Sequence, residues 1–320
     1  MNKLKQMQTM EKKTLIFYAL IVIGFFVLLL MILSSGLLSN LDIFRQVNIF
    51  LVLLGLLLTN LNILVKILRW KYLCGAYGVD IGFGESGKIV LGSFFVSGIT
   101  PAKIGDLIKA YIMKKRHALP VIDGISSILY ERVFELLLLF FVSLGIFYVG
   151  LTAKIYIVIQ LTTFILVFAL IAYLFSDKIL FWAQKFLSRA RIVTACEDTL
   201  RIKKLSPLQA FIVFCLTGFA LGLEFLRLWI VVLAFGFNMN IIHLSIFFCL
   251  AVLVGLVSQI PIGVGIVEGS LAFFLTDAGL PSYYAFGIVL IDRAISIYYV
   301  MAIGLIYYKW ALTSAMEKAA

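Results

Sequence analysis

Eight ionisable side chains of this sequence lie inside long apolar stretches of the chain. An ionised side chain costs about 2.5–3.5 kcal/mol to insert at the centre of a membrane helix, so a chain that needed only an anchor would omit them. Three of the eight are arginines and five are carboxylates. They are Glu131, Arg132, Glu135, Glu224, Arg227, Glu268, Asp292 and Arg293. Side chains of these types in an apolar layer predict a polar site there.

The chemistry that such a group supports is anion binding. A planar guanidinium donates two parallel hydrogen bonds to a phosphate, so three arginines at depth suit a phosphate group. The carboxylates would hold the arginines in place or bind protons for coupling, and the sequence does not separate these two roles. A second interpretation stays open: the acids and arginines only neutralise one another, as buried pairs that lock the structure together.

The charged residues belong to a pattern that occurs twice. In each copy a glycine follows a proline by four residues, a second proline comes about twenty residues after the first, and an acid–arginine pair stands eleven and twelve residues after that second proline. The first copy has Pro101, Gly105, Pro120, Glu131 and Arg132, and the second has Pro261, Gly265, Pro281, Asp292 and Arg293. A repeated order of this kind predicts duplicated units, here over about residues 48–150 and 207–309.

The composition indicates what kind of protein carries these residues. Of the 320 residues, 63% are hydrophobic and 13% are charged, whereas soluble domains have about 45–50% apolar and about 25% charged residues. The chain is therefore predicted to be an integral membrane protein. Its net charge of +11 comes from short basic segments between apolar runs, which is typical of the positive-inside rule and not of a nucleic-acid partner. The four scattered cysteines indicate neither a disulfide framework nor a metal site.

The apolar runs are long enough to span a membrane. Spans are predicted at about 14–33, 48–70, 121–150, 154–175, 207–235 and 283–308. The polar stretch 176–206 has apolar residues at helical spacing, which predicts a cytoplasmic interfacial segment. Lys66 and Arg69, near the end of the second run, are interpreted as snorkelling to the interface. The distribution of basic residues places both termini in the cytoplasm, and we expect a multi-pass protein of the cell (plasma) membrane.

Two further segments consist of short apolar pieces with a break between them. The first, about 85–113, is interrupted at Ser97–Pro101, and the second, about 241–277, is interrupted at Pro261. Basic residues flank only the first, so we expect it to enter from the cytoplasmic side and the second to enter from the outer side. The predicted fold is an all-α polytopic helical bundle with two inverted repeats, each containing a broken or re-entrant hairpin. Many carriers share this plan and bind their substrate near the bilayer midplane.

The binding site is therefore predicted at the two breaks and their neighbouring charges. Helix N-termini after the two prolines would add partial positive charge at the same depth. The candidate substrate-binding residues are Thr100, Pro101, Lys103, Gly105, Asp106, Glu131, Arg132, Arg227, Pro261, Gly263, Gly265, Glu268 and Arg293, and the candidates for coupling or charge pairing are Glu135, Glu224 and Asp292. The histidines, His117 and His243, stand alone. We expect no catalytic residue, no metal and no cofactor.

The two motifs resemble those of the flippase-like membrane domain family. That family includes the membrane half of lysylphosphatidylglycerol synthases and the membrane part of some archaeal glycosyltransferases. The resemblance rests on Thr100–Asp106 with Lys109-Ala110-Tyr111, on Glu131-Arg132, and on Pro261–Gly269 with Arg293, and it covers about residues 14–310. Asp106 stands where family members usually carry glutamate.

The resemblance implies translocation of a lipid with a polar headgroup, either an aminoacylated phospholipid or a polyprenyl-linked sugar. The expected partners are therefore membrane lipids. The synthases carry a soluble aminoacyl-transfer domain after their membrane part, and this sequence has none, so we expect no enzyme activity. Two alternatives stay open. One is a non-transporting membrane partner that docks a separate glycosyltransferase or lipid synthase through 176–206. The other is a membrane-embedded enzyme acting on a lipid phosphate through Glu131, Glu268 or Asp292. The sequence does not name the lipid, the direction, the energy source or the oligomeric state, and a homo-oligomer stays open.

Overall fold

The computed structural model describes residues 22–100, 105–145, 205–258 and 260–316, and all regular secondary structure in those ranges is helical. The helices are α1 (Val22–Ser34), α2 (Ile49–Ala76), α3 (Phe83–Gly98), α4 (Leu107–His117), α5 (Val121–Ser143), α6 (Pro207–Ala234), α7 (Ile241–Ser258), α8 (Ile266–Asp277), α9 (Ser282–Arg293) and α10 (Tyr299–Met316). Short 3₁₀ segments cover Leu37–Arg45 and Pro261–Gly263, and a π turn, Ala294–Tyr298, joins α9 to α10. The prediction of an all-α chain is confirmed.

Four helical segments of the described chain are long and apolar enough to cross a membrane: α2, α6, α7 and the continuous helix Ser282–Thr313. The pair formed by α1 and the 3₁₀ segment after it would be a fifth, although the two are bent by 80°. Helix α5, with 23 residues, is about 34 Å long, which also suffices. It carries several of the charged residues identified above, which lowers its hydropathy. The predicted span 154–175 and the interfacial segment 176–206 lie outside the described residues.

The two longest helices, α2 and α6, begin at polar caps and pack antiparallel along their length, from Asn48 beside Ala234 to Arg69 beside Thr217. The side chain of Asn48 accepts hydrogen bonds from the first backbone N–H groups of α2, and Ser206 and Gln209 form a capping box at the start of α6. Both caps satisfy N–H groups that have no partner within the helix. Near the middle of both helices, Asn62 Nδ2 donates to the carbonyl oxygen of Ala220 at 2.5 Å. The packing of α2 on α6 therefore brings polar groups of the two helices together.

Both predicted helix breaks are observed. Helix α3 ends at Gly98 and α4 begins at Leu107, while α7 ends at Ser258 and α8 begins at Ile266. The order of a long helix, a broken hairpin and a second long helix thus occurs twice in the described chain. Helix α3 packs against α10, and α7 packs against α5, so the first arm of each hairpin lies on the long helix that follows the other hairpin. The boundaries of the two units and their opposite orientation in the membrane stay predictions.

The apolar core has two main parts. The larger surrounds α7, whose Phe247 and Leu250 are fully buried against α8, α9 and α6. The smaller joins α2, α3 and α4 through Trp70, Ile89 and Met113. The outward faces of the helices are also apolar: Phe50 and Ile306 are 74% and 73% exposed. A surface of this kind suits a lipid environment and leaves the polar residues to line the interior.

Candidate functional site

A cavity of about 210 Å³ lies where α2, α3, α5, α6, α7, the junction of α9 with α10 and the two hairpin breaks meet. Among its described lining residues, six are cationic and four are acidic. They are Lys66, Arg69, Lys109, Arg132, Arg227 and Arg293, and Asp106, Glu131, Glu135 and Glu224. Ser93, Ser97, Thr100 and Asn62 add uncharged polar groups. Two further candidates, Glu268 and Asp292, lie behind this wall and pair with two of its arginines.

Glu131 is the centre of the first charged cluster. It is the eleventh residue of α5 and is 2% exposed. Its Oε1 accepts from Arg69 Nε at 3.1 Å, and its Oε2 accepts from Lys109 Nζ at 3.1 Å. Arg69 Nη1 also donates to Thr217 Oγ1 at 3.0 Å, and Lys109 Nζ lies 4.8 Å from the centroid of the Trp70 ring. Two cations on one carboxylate tie α2, α4 and α5 together and leave an excess positive charge at the cavity wall.

Arg132, the next residue of α5, is held by carboxylates on two sides. Its Nη1 donates to Glu135 at 2.8 Å and its Nη2 donates to Asp106. Asp106 is the residue immediately before α4, so the contact joins the first break to α5. The side chain of Arg132 is 31% exposed, the largest exposure among the arginines in this group. Its hydrogen-bonding capacity is thus largely taken up by its own neighbours.

The second cluster has the same plan with different partners. Asp292, the eleventh residue of α9, is fully buried, and its Oδ1 accepts from Arg227 Nε at 2.9 Å. Arg293 follows it and lies with its Nε 3.8 Å from Glu268 Oε1, which is too long for a hydrogen bond. The other oxygen of Glu268 accepts from the backbone N–H of Gly265 at 2.7 Å. Glu268 is therefore committed to the start of α8.

A further ion pair joins α2 to α6. Lys66 Nζ lies 2.8 Å from Glu224 Oε1, and both side chains are partly exposed to the cavity. This pair and the hydrogen bond between Asn62 and Ala220 each connect residues 158 positions apart. The same interval separates Arg69 from Arg227. The two long helices thus meet at equivalent positions and contribute equivalent arginines.

The first break is closed by the Thr100 side chain. Its Oγ1 lies 3.0 Å from the carbonyl oxygen of Val96 and accepts from the backbone N–H of Gly105 at 2.8 Å. A Cβ added at Gly105 would come within 2.6 Å of the backbone nitrogen of Ser97, so only glycine fits against α3 there. Thr100 and Gly105 therefore hold the shape of the break, although Thr100 also lines the cavity. Pro101 and Lys103 lie outside the described residues.

The second break depends on glycines in left-handed backbone conformations. Gly263 and Gly265 have φ of 74° and 81°. Ile262, between Pro261 and Gly263, has φ of 60°. Glycine adopts such angles without steric cost, whereas a Cβ at Gly265 would collide with the carbonyl oxygen of Gly24 in α1. Pro261 is buried, and Gly263 lines the cavity.

The helix N-termini at the breaks carry less free positive charge than the sequence suggests. The Glu268 carboxylate lies in the first turn of α8 and accepts from the backbone N–H of Gly265, just before the helix, and α4 is preceded by the Asp106 carboxylate, which binds Arg132. Acidic groups at these positions offset the positive end of the helix dipole. The side chains of the cavity, more than its helix ends, therefore supply the positive charge.

Sequence reasoning missed three cations of the site. The interpretation of Lys66 and Arg69 as snorkelling residues is wrong, because both line the internal cavity and bind Glu224 and Glu131. The sequence indicates Lys109 only as part of a motif, yet its side chain is buried (6% exposed) and bonded to Glu131. A signal was available: Arg69 lies twenty residues after the first residue of α2, and Arg227 lies twenty after the first residue of α6.

Comparison with known proteins identifies the family. The family model described as the lysylphosphatidylglycerol synthase TM region matches residues 16–304 of the chain. The chain belongs to this family. The match covers both charged clusters and both breaks, and it agrees with the resemblance inferred from the motifs. Together with the spanning helices it makes the protein a multi-pass membrane protein.

Several archaeal members of the same group are similar over most of their length. The UPF0104 membrane protein MJ1595 of Methanocaldococcus jannaschii is 23% identical over 300 residues, covering 87% of this chain and 89% of its own. A UPF0104 membrane protein of Methanothermobacter thermautotrophicus is 28% identical over 279 residues, covering 78% and 80%. The glycosyltransferase AglD of Haloferax volcanii is 35% identical over 78 residues, which is 23% of this chain and 12% of that protein.

Proposed function

We propose that this protein moves a lipid with a phosphate-containing headgroup between the leaflets of the membrane. In this mechanism the headgroup passes through the charged cavity while the lipid tails stay in the bilayer. The observation that carries the proposal is the composition of the cavity wall, where six cations and four carboxylates face a space between two broken hairpins. An ionised phosphate cannot cross the apolar layer unaided, because its hydration must be replaced by other polar groups.

The size of the cavity favours a headgroup as the occupant. Pockets that enclose drug-sized ligands measure about 300–1,000 Å³, and this one, at about 210 Å³, is smaller. It would accommodate a phosphate with a small substituent but not acyl or prenyl chains. The chains would therefore remain outside, against the apolar helix surfaces. Lipid movement of this kind separates a polar path from an apolar one.

The arrangement of ion pairs favours a moving substrate. Arg132 is partly exposed and bonded to two carboxylates. Lys66 of α2 and Glu224 of α6 form an ion pair and are also partly exposed. A phosphate that replaced a carboxylate at either cation would exchange one charge-assisted bond for another, with little change in net energy. The carboxylates would then rebind when the headgroup leaves. Such exchange would let the cavity empty as readily as it fills.

The family and its relatives agree with a lipid substrate. The family is named for the membrane region of an enzyme that makes an aminoacylated phospholipid, and one partly similar relative is called a glycosyltransferase. We propose that the aminoacylated phospholipid and a polyprenyl-linked sugar are the two lipid classes to test first. The proposal assigns this chain transport and no covalent chemistry, in a plasma membrane with both termini in the cytoplasm.

The test is lipid movement in vesicles that contain only the purified protein. Vesicles would carry a fluorescent phosphatidylglycerol or a fluorescent polyprenyl-phosphate sugar, and a membrane-impermeant quencher would report the label in the outer leaflet. We expect quenching of label from both leaflets with the wild-type protein, and a slower rate with Arg132→Gln. The matched control is Arg45→Gln, which removes an exposed arginine paired with Asp42 far from the cavity wall.

The opposite outcome would favour the alternative of a membrane partner for a separate enzyme. If the folded protein moves neither lipid, with and without a proton gradient, transport by this chain alone is refuted. A chemically altered lipid recovered from the same vesicles would instead support the enzyme alternative. Mass spectrometry of the recovered lipid separates these two results.

A further inference from the structure

Arg293 is enclosed but has fewer hydrogen bonds than its surroundings would normally provide. The residue is 4% exposed and lines the cavity. Among the described residues, its Nε and Nη2 have no hydrogen-bond partner. Buried donors of this kind are costly, and native proteins satisfy nearly all of them with protein groups, water or a ligand. These two donors lie side by side on one guanidinium of a residue that lines the cavity, and their spacing fits two oxygens of one anion.

The comparison with Arg132 shows how this situation arises. Arg132 and Arg293 each stand twelve residues after their Leu-Pro proline. Arg132 donates to two carboxylates, that of Asp106, which follows Gly105, and that of Glu135, three residues further along its own helix. In the second unit the corresponding positions hold an isoleucine and a serine, Ile266 after Gly265 and Ser296 three residues after Arg293. Both carboxylates that neutralise the first arginine are therefore replaced around the second.

Glu268 does not make up for this loss. It is the nearest carboxylate recorded for Arg293, but at 3.8 Å it makes no hydrogen bond with Nε. Its Oε2 is bonded to the backbone N–H of Gly265, which holds it at the start of α8. It places a negative charge near Arg293 but leaves Nε and Nη2 of the guanidinium without a hydrogen bond.

Ser296 supplies a third unused donor. Its Oγ is buried and has no hydrogen-bond partner among the described residues. Other serines in these helices, such as Ser126 and Ser245, donate to the carbonyl four residues before them. Ser296 instead lies in the π turn Ala294–Tyr298, and π turns occur often at functional sites. Like Arg293, it lines the cavity.

We infer that Arg293 and Ser296 form the subsite that receives the phosphate group, with the guanidinium fork binding two oxygens and the hydroxyl donating to a third. This inference rests on the proposed function, because it assigns the phosphate of the transported lipid to one of the two units. The chemistry is that of a phosphate monoester or diester, either in a lipid headgroup or free in solution. The first unit, whose Arg132 is bound to two carboxylates, serves as the path that the headgroup follows after it leaves this subsite.

The test measures binding separately from transport. Purified protein in a neutral detergent would be titrated calorimetrically with dihexanoyl phosphatidylglycerol, with glycerol phosphate and with inorganic phosphate, so that lipid and soluble sources are compared. We expect Arg293→Gln to weaken binding about tenfold or more, since it removes charge-assisted hydrogen bonds. Arg293→Lys should give an intermediate loss, because it keeps the charge without the fork.

The most specific variant is Ser296→Glu, which recreates the Arg132–Glu135 arrangement in the second unit. A carboxylate at 296 would occupy the free guanidinium, so anion binding should be lost while the thermal unfolding temperature stays at or above that of the wild type. Ser296→Ala, which adds no bulk, should weaken binding about threefold or more through loss of one hydrogen bond. The control for added negative charge is Thr313→Glu, at the exposed end of α10.

The outcomes separate this inference from the proposed function. If the wild type binds none of the three probes, or if Arg293→Gln and Ser296→Glu bind like the wild type, the subsite is refuted. Binding that follows the expected order without any lipid movement in vesicles would support the subsite and refute transport. Lipid movement that survives in Arg293→Gln and Ser296→Glu would support transport and refute the subsite.

Discussion

Breaking the buried pair between Arg227 and Asp292 should strongly destabilise the fold. Asp292→Val removes the carboxylate and leaves an apolar side chain of similar volume. Asp292 is fully buried and the side chain of Arg227 is 4% exposed, so the guanidinium would keep its charge with little contact with bulk water. Removing one partner of such a pair costs about 3–5 kcal/mol. Glu224 also attracts Arg227, but its carboxylate is bound to Lys66 at 2.8 Å, so it would offset only part of this cost.

The double variant Arg227→Met with Asp292→Val should recover most of that loss. Replacement of both partners by apolar side chains of similar volume leaves no buried charge, and such replacements are often neutral or stabilising. The pattern of a large single loss and a small double loss distinguishes an uncompensated charge from a general packing defect. A packing defect would accumulate in the double variant.

The free energy of unfolding would be measured by equilibrium titration with a denaturing detergent in mixed micelles, followed by circular dichroism. The matched control is Asp42→Val, which breaks an ion pair with Arg45 whose side chains are 82% and 86% exposed. Exposed pairs contribute little, so this control should unfold like the wild type. The reasoning would be refuted if Asp292→Val cost less than about 1 kcal/mol, or if the double variant were less stable than Asp292→Val alone.

Three further predictions follow from local contacts. Gly105→Ala should lower the free energy of unfolding by about 1–3 kcal/mol, because its Cβ would press on the backbone of α3; Gly222→Ala, which meets open space, should not lower it, and equal losses would contradict the contact. Thr100→Val should speed hydrogen exchange of the Gly105 amide, which loses its 2.8 Å acceptor; unchanged exchange would contradict the closing role. Lys66→Glu should stop lipid movement and lower the free energy of unfolding, because it places two carboxylates side by side. Adding Glu224→Lys should restore both quantities. A double variant no better than Lys66→Glu alone would contradict a direct ion pair.

Much of the candidate site could be predicted from the sequence, because its signals are local. Prolines and glycines after apolar runs marked the two breaks, and α3 and α7 end at Gly98 and Ser258. The cost of ionisable groups in an apolar layer marked Glu131, Asp292 and their neighbours as residues that needed partners. Thr100 was assigned correctly to the break, but as a ligand donor; the structure uses its hydroxyl to close the turn.

Partner choice could not be predicted, because it depends on distances between helices that are far apart in the chain. Glu131 binds Arg69, 62 positions earlier, and Arg227 binds Asp292, 65 positions later. Near the end of an apolar run, an arginine is compatible with snorkelling outward or with pairing inward. Only the packing of α2 against α5 and α6 decides between outward and inward placement, because it brings Glu131 and Thr217 within hydrogen-bond distance of Arg69.

The sequence by itself determined that this is a helical membrane protein in which one set of motifs occurs twice. Hydropathy, helix-breaking residues and the cost of buried charge all act over a few helical turns, so they can be read from the sequence. The tertiary structure alone decided which charges are satisfied. Arg132 and Arg293 follow the same motif, yet the first donates to two carboxylates, whereas Nε and Nη2 of the second have no hydrogen-bond partner among the described residues. Hydrogen bonds form only within about 3.5 Å, so their distribution depends on packing at a scale that sequence patterns do not resolve.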